Sequence, residues 1–495
     1  MKKNWRHLSL IAGLVLIWIS SHAATQTFDT PPQIPQPYTD VRTYLPAAVG
    51  GYMTFLRVIN TGQVATPISV ALIDEGTGTV GPQGLLAQSL PPGTATFFSP
   101  QQVETALGGA LSAGSRPRIR VIPSQAASIE VQSFLLQPGG VFNEVSPTQS
   151  GSSIIVTTYV PAAAAPIGYA SCLRIINTGI SATPVTVARI DPTTGQAGAA
   201  VTLISSLAAG TASFYCNASI ESALGALFPA SDRPQLIISA PGASLDVQSF
   251  LLQPGGAYTD ISSFQSGTTV DVRTYVPASA IGYTSILRIA NNGSNAAAVT
   301  VAVLDDTTGI PGATTTITSN LPGNGVLMLT APQLETALGF TIPAASRPRL
   351  RVSSANNLSV QSLLLQPSGA YDEMSGAQTG TSIDVRAYIP AADGVTGYSS
   401  NVRIINTGAT ATPVTVAVID PTVGTTGAAA TLIASLPAGA ARNFSSSQLE
   451  TALGTSIAAG TRPRIQISGN GTNVLEVQSF LIQPGGAFNE VSGAQ

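Results

Sequence analysis

"VQSFLLQPGG" spans residues 131–140, and the same ten residues return at 247–256. "VQSLLLQPSG" stands at 360–369 and "VQSFLIQPGG" at 477–486. A stretch written four times is either four copies of one site or four copies of one building block. The surrounding text favours the second. Tyr44, Tyr159, Tyr275 and Tyr388 sit in "VRTYLPA", "VTTYVPA", "VRTYVPA" and "VRAYIPA", at spacings of 115, 116 and 113 residues. That period is too long for a solenoid unit and suits a small independent domain. The units run over 41–149, 154–266, 270–379 and 383–495, joined by "QSGSS", "QSGTT" and "QTGTS". Joints this short limit motion between units but leave room for a hinge.

Each unit reads as strands divided by turn signals. In the first, "VRTYLP" opens, "MTFLRVIN" alternates Leu56 and Val58 against Arg57, and "TPISVALID" leads into "EGTG". The other copies write that turn "DPTTG", "DDTTG" and "DPTVG". Proline at the second position of such a turn presets φ, and glycine accepts a left-handed backbone. One helical signal intrudes in "SPQQVETALGG". Ser99 and Gln102 form a capping box, and Gly108 stops the helix. Thr330 with Gln333 and Ser445 with Gln448 repeat the box. "RPRIRVI", "SIEVQSFLLQ" and "GVFNEVS" close the unit. "VQSFLL" fits a strand buried on both faces, and "QPGG" the turn that returns it as a hairpin. The fold class expected is all-β: four tandem antiparallel β-sandwich modules, each with one short helical turn.

Residues 1–23 have the pattern of a secretory signal peptide: Lys2, Lys3 and Arg6, an apolar run from Leu8 to Ile19, and small residues before a cut after Ala23. Residues 24–40 are a Pro-rich leader. The protein is therefore expected to be exported, to the periplasm, cell surface or medium, without a membrane span. Cleavage would remove both histidines (His7, His22), both tryptophans and the two lysines. The remaining 18 arginines face 24 acidic residues, a net charge of −6. Charged residues make up 9% of the chain against a usual ~25%. Nucleic-acid binding needs clustered cations to neutralise phosphates, and this composition argues against it.

The unit resembles the immunoglobulin-like and fibronectin-type-III-like modules strung in tandem on secreted and surface proteins. More narrowly, it is similar to β-sandwich repeats of exported bacterial proteins. These share the order "LRIINTG" (173–179), "VTVARIDPTTG" (185–195), "SLPAG" (435–439), a capped turn, "RPRIQIS" (462–468) and "LEVQSFL" (475–481). The resemblance covers nearly all of 41–495. It implies an Ig-like sandwich and a role as stalk, adhesin or accessory domain.

Without histidine or lysine, no Ser–His–Asp or Cys–His arrangement and no Schiff base can be built. No enzyme is expected. The carboxylates Glu130 with Glu144, Asp246 with Asp260, and Glu476 with Glu490 could form glycosidase-like pairs. Ser359 breaks the pattern before Glu373, and the plain reading is that these acids solvate strand ends and pair with arginines. Arg57, Arg174, Arg288 and Arg403 share one position, either a carboxylate- or sugar-binding fork or an arginine laid along the sheet. Tyr52, Tyr169, Tyr283 and Tyr398 could stack on sugars or plug the sandwich ends. The "RPR" arginines (Arg116/Arg118, Arg347/Arg349, Arg462/Arg464) read as a solvated edge. Asp74, Asp191, Asp305 and Asp420 open the Asp-x-x-x-Gly turns. Calcium is the one cofactor this pattern could recruit, but an Asp capping its own turn through local hydrogen bonds suffices, and no cofactor is expected. Cys172 and Cys216 are expected to form a disulfide. The partner expected is a protein or glycan at the cell surface, met by a semi-rigid rod of modules serving structure or adhesion. A carbohydrate-binding array and an extracellular fibre subunit are the alternatives.

Overall fold

The computed structural model describes residues 38–124, 128–137, 141–484 and 487–492. Residues 1–23, expected to be a signal peptide, and most of the Pro-rich leader lie outside them. The chain is mostly strand, in antiparallel sheets.

The first repeat shows how the sequence builds the unit. Its strands are β1 (Thr39–Val41), β2 (Met53–Asn60), β3 (Thr66–Ile73), β4 (Val80–Leu90), β5 (Ala95–Phe98), β6 (Arg118–Pro123), β7 (Ile129–Leu136) and β8 (Phe142–Glu144). They form two sheets, ordered β1-β6-β3-β4 and β5-β2-β7-β8. Val41, Leu56, Val58, Ile68, Val70, Ile119, Val121 and Val131 fill the space between them. Helix α1 (Pro100–Ala106) closes one end, and Ser99 and Gln102 cap it reciprocally as the sequence requires. The β7–β8 hairpin pairs Phe134 with Glu144 and Leu136 with Phe142, as "QPGG" predicts. The two sheet orders recur in the other three repeats. In the third, one 17-residue strand, Arg349–Leu365, serves both sheets.

The joints are strands. Gln149–Gly151 pairs with Leu245–Val247, Gln265–Gly267 with Leu358–Val360, and Gln378–Gly380 with Leu475–Val477. Each joint is thus stitched into the sheet of the repeat it enters, which removes the expected room for a hinge.

The repeats do not form a rod. Besides the four repeat cores there are four further apolar clusters, each shared by two repeats: first with second, second with third, third with fourth, and fourth with first. The last closes the chain into a ring. This explains the double-sided burial of "VQSFLL". Val131 faces its own core, Phe134 packs against the fourth repeat, and Leu135 packs against the second.

Cys172 and Cys216 are cross-strand neighbours in the second repeat and are disulfide-bonded. The bridge closes a loop of 44 residues, worth about 3–4 kcal/mol by restriction of the unfolded chain. Cys172 also packs in the cluster between first and second repeats.

Candidate functional site

Two places gather the polar residues singled out in the sequence: the seams between repeats, and a chamber where the four repeats meet.

The repeated decapeptide supplies the seams. Its second glutamine reaches forward. Gln137 Nε2 donates to the Tyr258 carbonyl at 2.6 Å, Gln253 to Tyr371 at 2.8 Å, Gln366 to Phe488 at 3.0 Å, and Gln483 to Phe142 at 3.0 Å. Each Oε1 accepts from the backbone N–H of the same aromatic residue. A side-chain amide thus mimics a strand pair across every seam, including the one that closes the ring. The first glutamine reaches back. Gln248 donates to the Val145 and Pro147 carbonyls, Gln361 to Ile261 and Ser263, and Gln478 to Met374 and Gly376. Its oxygen accepts from Thr43, Thr158 or Thr274 of the preceding repeat at 2.6–2.8 Å. Such bonds satisfy groups that burial would otherwise leave unpaired.

Charge pairs follow the same cycle. Arg42 meets Asp246 at 2.8 Å, Arg273 meets Glu476 at 2.9 Å, and Arg386 meets Glu130 at 2.7 Å. At the remaining seam both partners are absent together, Thr157 standing for the arginine and Ser359 for the acid. Ser359 instead accepts from Asn292 within its own repeat. The paired acids are therefore held apart from the second acids of the glycosidase pattern, which face the chamber.

The arginine row Arg57, Arg174, Arg288 and Arg403 is at most 1% exposed and lies at the seams. Arg174 bonds Glu75 and the Arg116 carbonyl of the first repeat. Arg288 bonds the Arg233 carbonyl of the second, and Arg403 bonds Asp306 and the Arg347 carbonyl of the third. Burial lowers these guanidinium pKa values to about 9 for Arg57, Arg174 and Arg288, and to about 10 for Arg403, leaving all four protonated at neutral pH. Of the tyrosine row, Tyr52 donates to the Gly256 carbonyl and packs edge-on to Tyr258, and Tyr169 donates to Gly369 and packs on Tyr371. Tyr283 and Tyr398 join the third-to-fourth and fourth-to-first clusters.

The RPR arginines are not a solvated edge. Arg118, Arg349 and Arg464 are 6%, 2% and 5% exposed. Arg118 bonds the Gly210 carbonyl of the next repeat as well as Asp40. Arg349 bonds the Gly439 carbonyl and Asp306, and Arg464 bonds Asp384. Alternation put these side chains on an outer face of the sandwich, which in a ring is partly an inner face.

The Asp-x-x-x-Gly turns hold themselves. Asp74 accepts from Gly76 and Thr77, Asp191 from Thr193 and Thr194, Asp305 from Thr307 and Thr308, and Asp420 from Thr422 and Val423. Their glycine tips abut the next repeat: Gly78 meets Gly210, Gly195 meets Gly323, Gly309 meets Gly439 and Gly424 meets Gly93. Among the described residues, no three His, Cys, Asp or Glu side chains are grouped to hold a metal ion.

The chamber, of about 410 Å³, takes Glu144 from the first repeat, Asp260 from the second, Asp372 and Glu373 from the third, and Glu490 from the fourth. Arg42 is the one cation among its described lining residues. A larger recess of about 1000 Å³ adjoins it, sharing Thr148, Ser263, Gly376 and Ala377. Burial, with mutual repulsion added, pushes Asp260 and Glu490 up to about 7, and raises Asp372 and Glu373 well above the carboxylate range. Backbone N–H groups of Ser262, Ser375 and Ser492 counter this in part by donating to Asp260, Glu373 and Glu490, as does the more distant charge of Arg273 on Glu490.

The folded-state pKa values exceed the unfolded ~4, so the stability these groups contribute is complete below that pH and is lost as pH rises through 7. Denaturation midpoints should therefore fall from pH 5 to pH 8, by an amount on the order of several kcal/mol. Asp260→Asn with Glu490→Gln should flatten that fall. An unchanged midpoint in the parent chain would show that the chamber is solvated well enough to carry no such load.

Four further residues escaped the sequence reading: Glu104, Glu221, Glu335 and Glu450. Each lies in the short helix and accepts from the repeat's buried tyrosine, Tyr44, Tyr159, Tyr275 or Tyr388. Each also accepts from two backbone N–H groups. The signal was present, since "ETALG" or "ESALG" recurs in every unit.

No family model and no curated protein matches the chain. Solved structures include two infectious bursal disease virus particles, the Gt strain and the T13 particle, each at 8% identity and a TM-score of 0.12. These cover 90% and 91% of this chain and 84% and 80% of the other. SGBP-B of the Bacteroides ovatus mixed-linkage glucan utilization locus, in complex with mixed-linkage heptasaccharide, aligns at 12% identity and a TM-score of 0.13, over 92% of this chain and all of that one. Scores this low establish no shared architecture.

Proposed function

We propose that this chain is an exported, non-enzymatic scaffold. Four immunoglobulin-like sandwich modules are closed into a ring that presents its outer rim and central recess to a partner at the cell envelope. The observation that carries the reading is where the arginines and carboxylates go. Arg42, Arg174, Arg273, Arg386 and Arg403 each bind a carboxylate of another repeat, so these pairs fix the modules to each other. The leader of residues 1–23 supports export, and no helix among the described residues is long and apolar enough to cross a membrane. Charged residues are only 9% of the chain, which suits protein contact by shape and backbone rather than by charge.

Fractionation of cells making a C-terminally tagged chain tests this, together with a substrate panel and a glycan array on the purified ring. Expected are a product shortened by 23 residues in the envelope or medium and no turnover. An unprocessed cytoplasmic chain, or turnover of any substrate, would overturn the scaffold reading. Glycan binding that is strong for the whole ring would replace it with a lectin-like array.

A further inference from the structure

The four seams share one design but are not equal. Three are crossed by the chain itself. The fourth, between the fourth and first repeats, is held among the described residues by side chains and packing alone, and it differs from the others in several contacts. Where Thr43, Thr158 and Thr274 give a hydroxyl to the facing glutamine, this seam has Ala387. Where Glu75 and Asp306 meet a buried arginine, it has Pro421, as the second-to-third seam has Pro192. Its own buried arginine, Arg57, leaves Nε and Nη2 without hydrogen-bond partners, with Nη1 3.5 Å from Gln132 of the same repeat. A void of about 250 Å³ lies there among Phe55, Phe97, Phe134, Phe142, Leu481 and Val491. The equivalent recess between second and third repeats, lined at the same sequence positions, measures about 20 Å³. Among the described residues, the contacts across the closing seam include Gln483 on Phe142, Arg386 on Glu130, Asn489 on Asn143, and the Gly424 tip on Gly93.

We infer that this seam is the ring's opening, and that the two faces it exposes receive a second copy of the same chain. The contact is heterologous: one face of a repeat meets a different face of the next. Such a contact makes a ring when its rotation closes and a helical filament when a small pitch prevents closure. An opened ring is a split washer. Its fourth repeat carries the face that fits the first repeat of another chain, with the same glutamine, arginine and glycine contacts. Repetition gives a filament with one chain per turn. Closure within a chain is favoured when chains are dilute, because the tethered face is present at high effective concentration. Linkage between chains gains as protein concentration rises.

Full-length chains carrying Asn143→Cys and Asn489→Cys, oxidised over a concentration series with the native disulfide intact, read the two states directly. At low concentration the bond should form within one chain. Near millimolar concentration an interchain ladder should appear on non-reducing gels, and Ala387→Thr, which strengthens the same contact in both states, should leave the ratio of interchain to intrachain bond unchanged. The pair Asn143→Cys and Thr259→Cys spans the covalent first-to-second seam and should stay within one chain throughout. Sedimentation of the unsubstituted chain provides a reading free of engineered cysteines, with whole multiples of the chain mass expected to grow with concentration. A single chain mass at every concentration would overturn the inference, as would equal ladders from both cysteine pairs.

Discussion

Replacing Gly195 by alanine is expected to force the second and third repeats apart, at a cost of about 3–5 kcal/mol. Two penalties combine. The residue has φ of +70°, a left-handed conformation that L side chains resist. A methyl group there would also stand 1.7 Å from the Gly323 carbonyl oxygen and 2.9 Å from the Gly325 nitrogen, both backbone atoms of the neighbouring repeat. Neither can step aside without moving the turn that holds it. Gly225 separates the two contributions. It has φ of +64° at a helix end, and nothing lies within 4 Å of a β-carbon built on it. Gly225→Ala should cost about 1 kcal/mol. Denaturant midpoints compare the pair, and amide exchange at Gly323–Val326 locates the damage. Equal effects from both substitutions would mean that the seam yields at no cost.

The second large effect is expected at Glu335, which is 4% exposed. Its carboxylate accepts from the Tyr275 hydroxyl at 3.1 Å, the Ala278 N–H at 2.8 Å and the Ile342 N–H at 3.2 Å. Three separate segments are tied to one side chain. Glu335→Ala leaves the Ala278 and Ile342 N–H groups without an acceptor, each costing about 1–3 kcal/mol, while the Tyr275 hydroxyl keeps the Ala331 carbonyl, so a loss of about 3–4 kcal/mol is expected. Glu335→Gln keeps one oxygen toward Tyr275 and Ala278 but turns an NH2 on Ile342, and should fall between. Burial and the neighbouring Glu335 charge raise the Tyr275 hydroxyl pKa above its ordinary value. The tyrosine absorbance should therefore titrate more readily in the alanine variant. If the alanine and glutamine variants are equally stable, the carboxylate is not the tie described here.

Much of the sandwich was written where local rules apply. Alternation along "MTFLRVIN", the capping box at Ser99 and the hairpin after "VQSFLL" depend on near neighbours: Leu56 and Val58 share the core, Ser99 and Gln102 cap each other, and Leu136 pairs with Phe142. Ring closure depends on residues some 200 or 340 positions apart, such as Arg42 with Asp246 or Gln483 with Phe142, and no periodicity reports that. One clue was nonetheless present. Thr157 is the only departure from arginine in its row and Ser359 the only departure from an acid in its own, and they fall in adjacent repeats. A paired loss of opposite charges is what a contact between one repeat and the next would leave. The buried second arginine of "RPR" was unreadable for the same reason, since an outer sandwich face becomes an interface only when another repeat covers it.

The identical glutamine bridges have a consequence for how such a molecule can originate. Each repeat carries one donating face and one receiving face, and four repeats close a circle, so four separate copies of a single repeat would satisfy every bridge. Writing the tetramer as one polypeptide makes three of its subunit contacts permanent. It also releases the copies from having to match, so that each junction can change alone. The compensated loss at Thr157 and Ser359, and the missing hydroxyl at Ala387, are changes that a homotetramer, bound to repeat them four times over, could not have made singly.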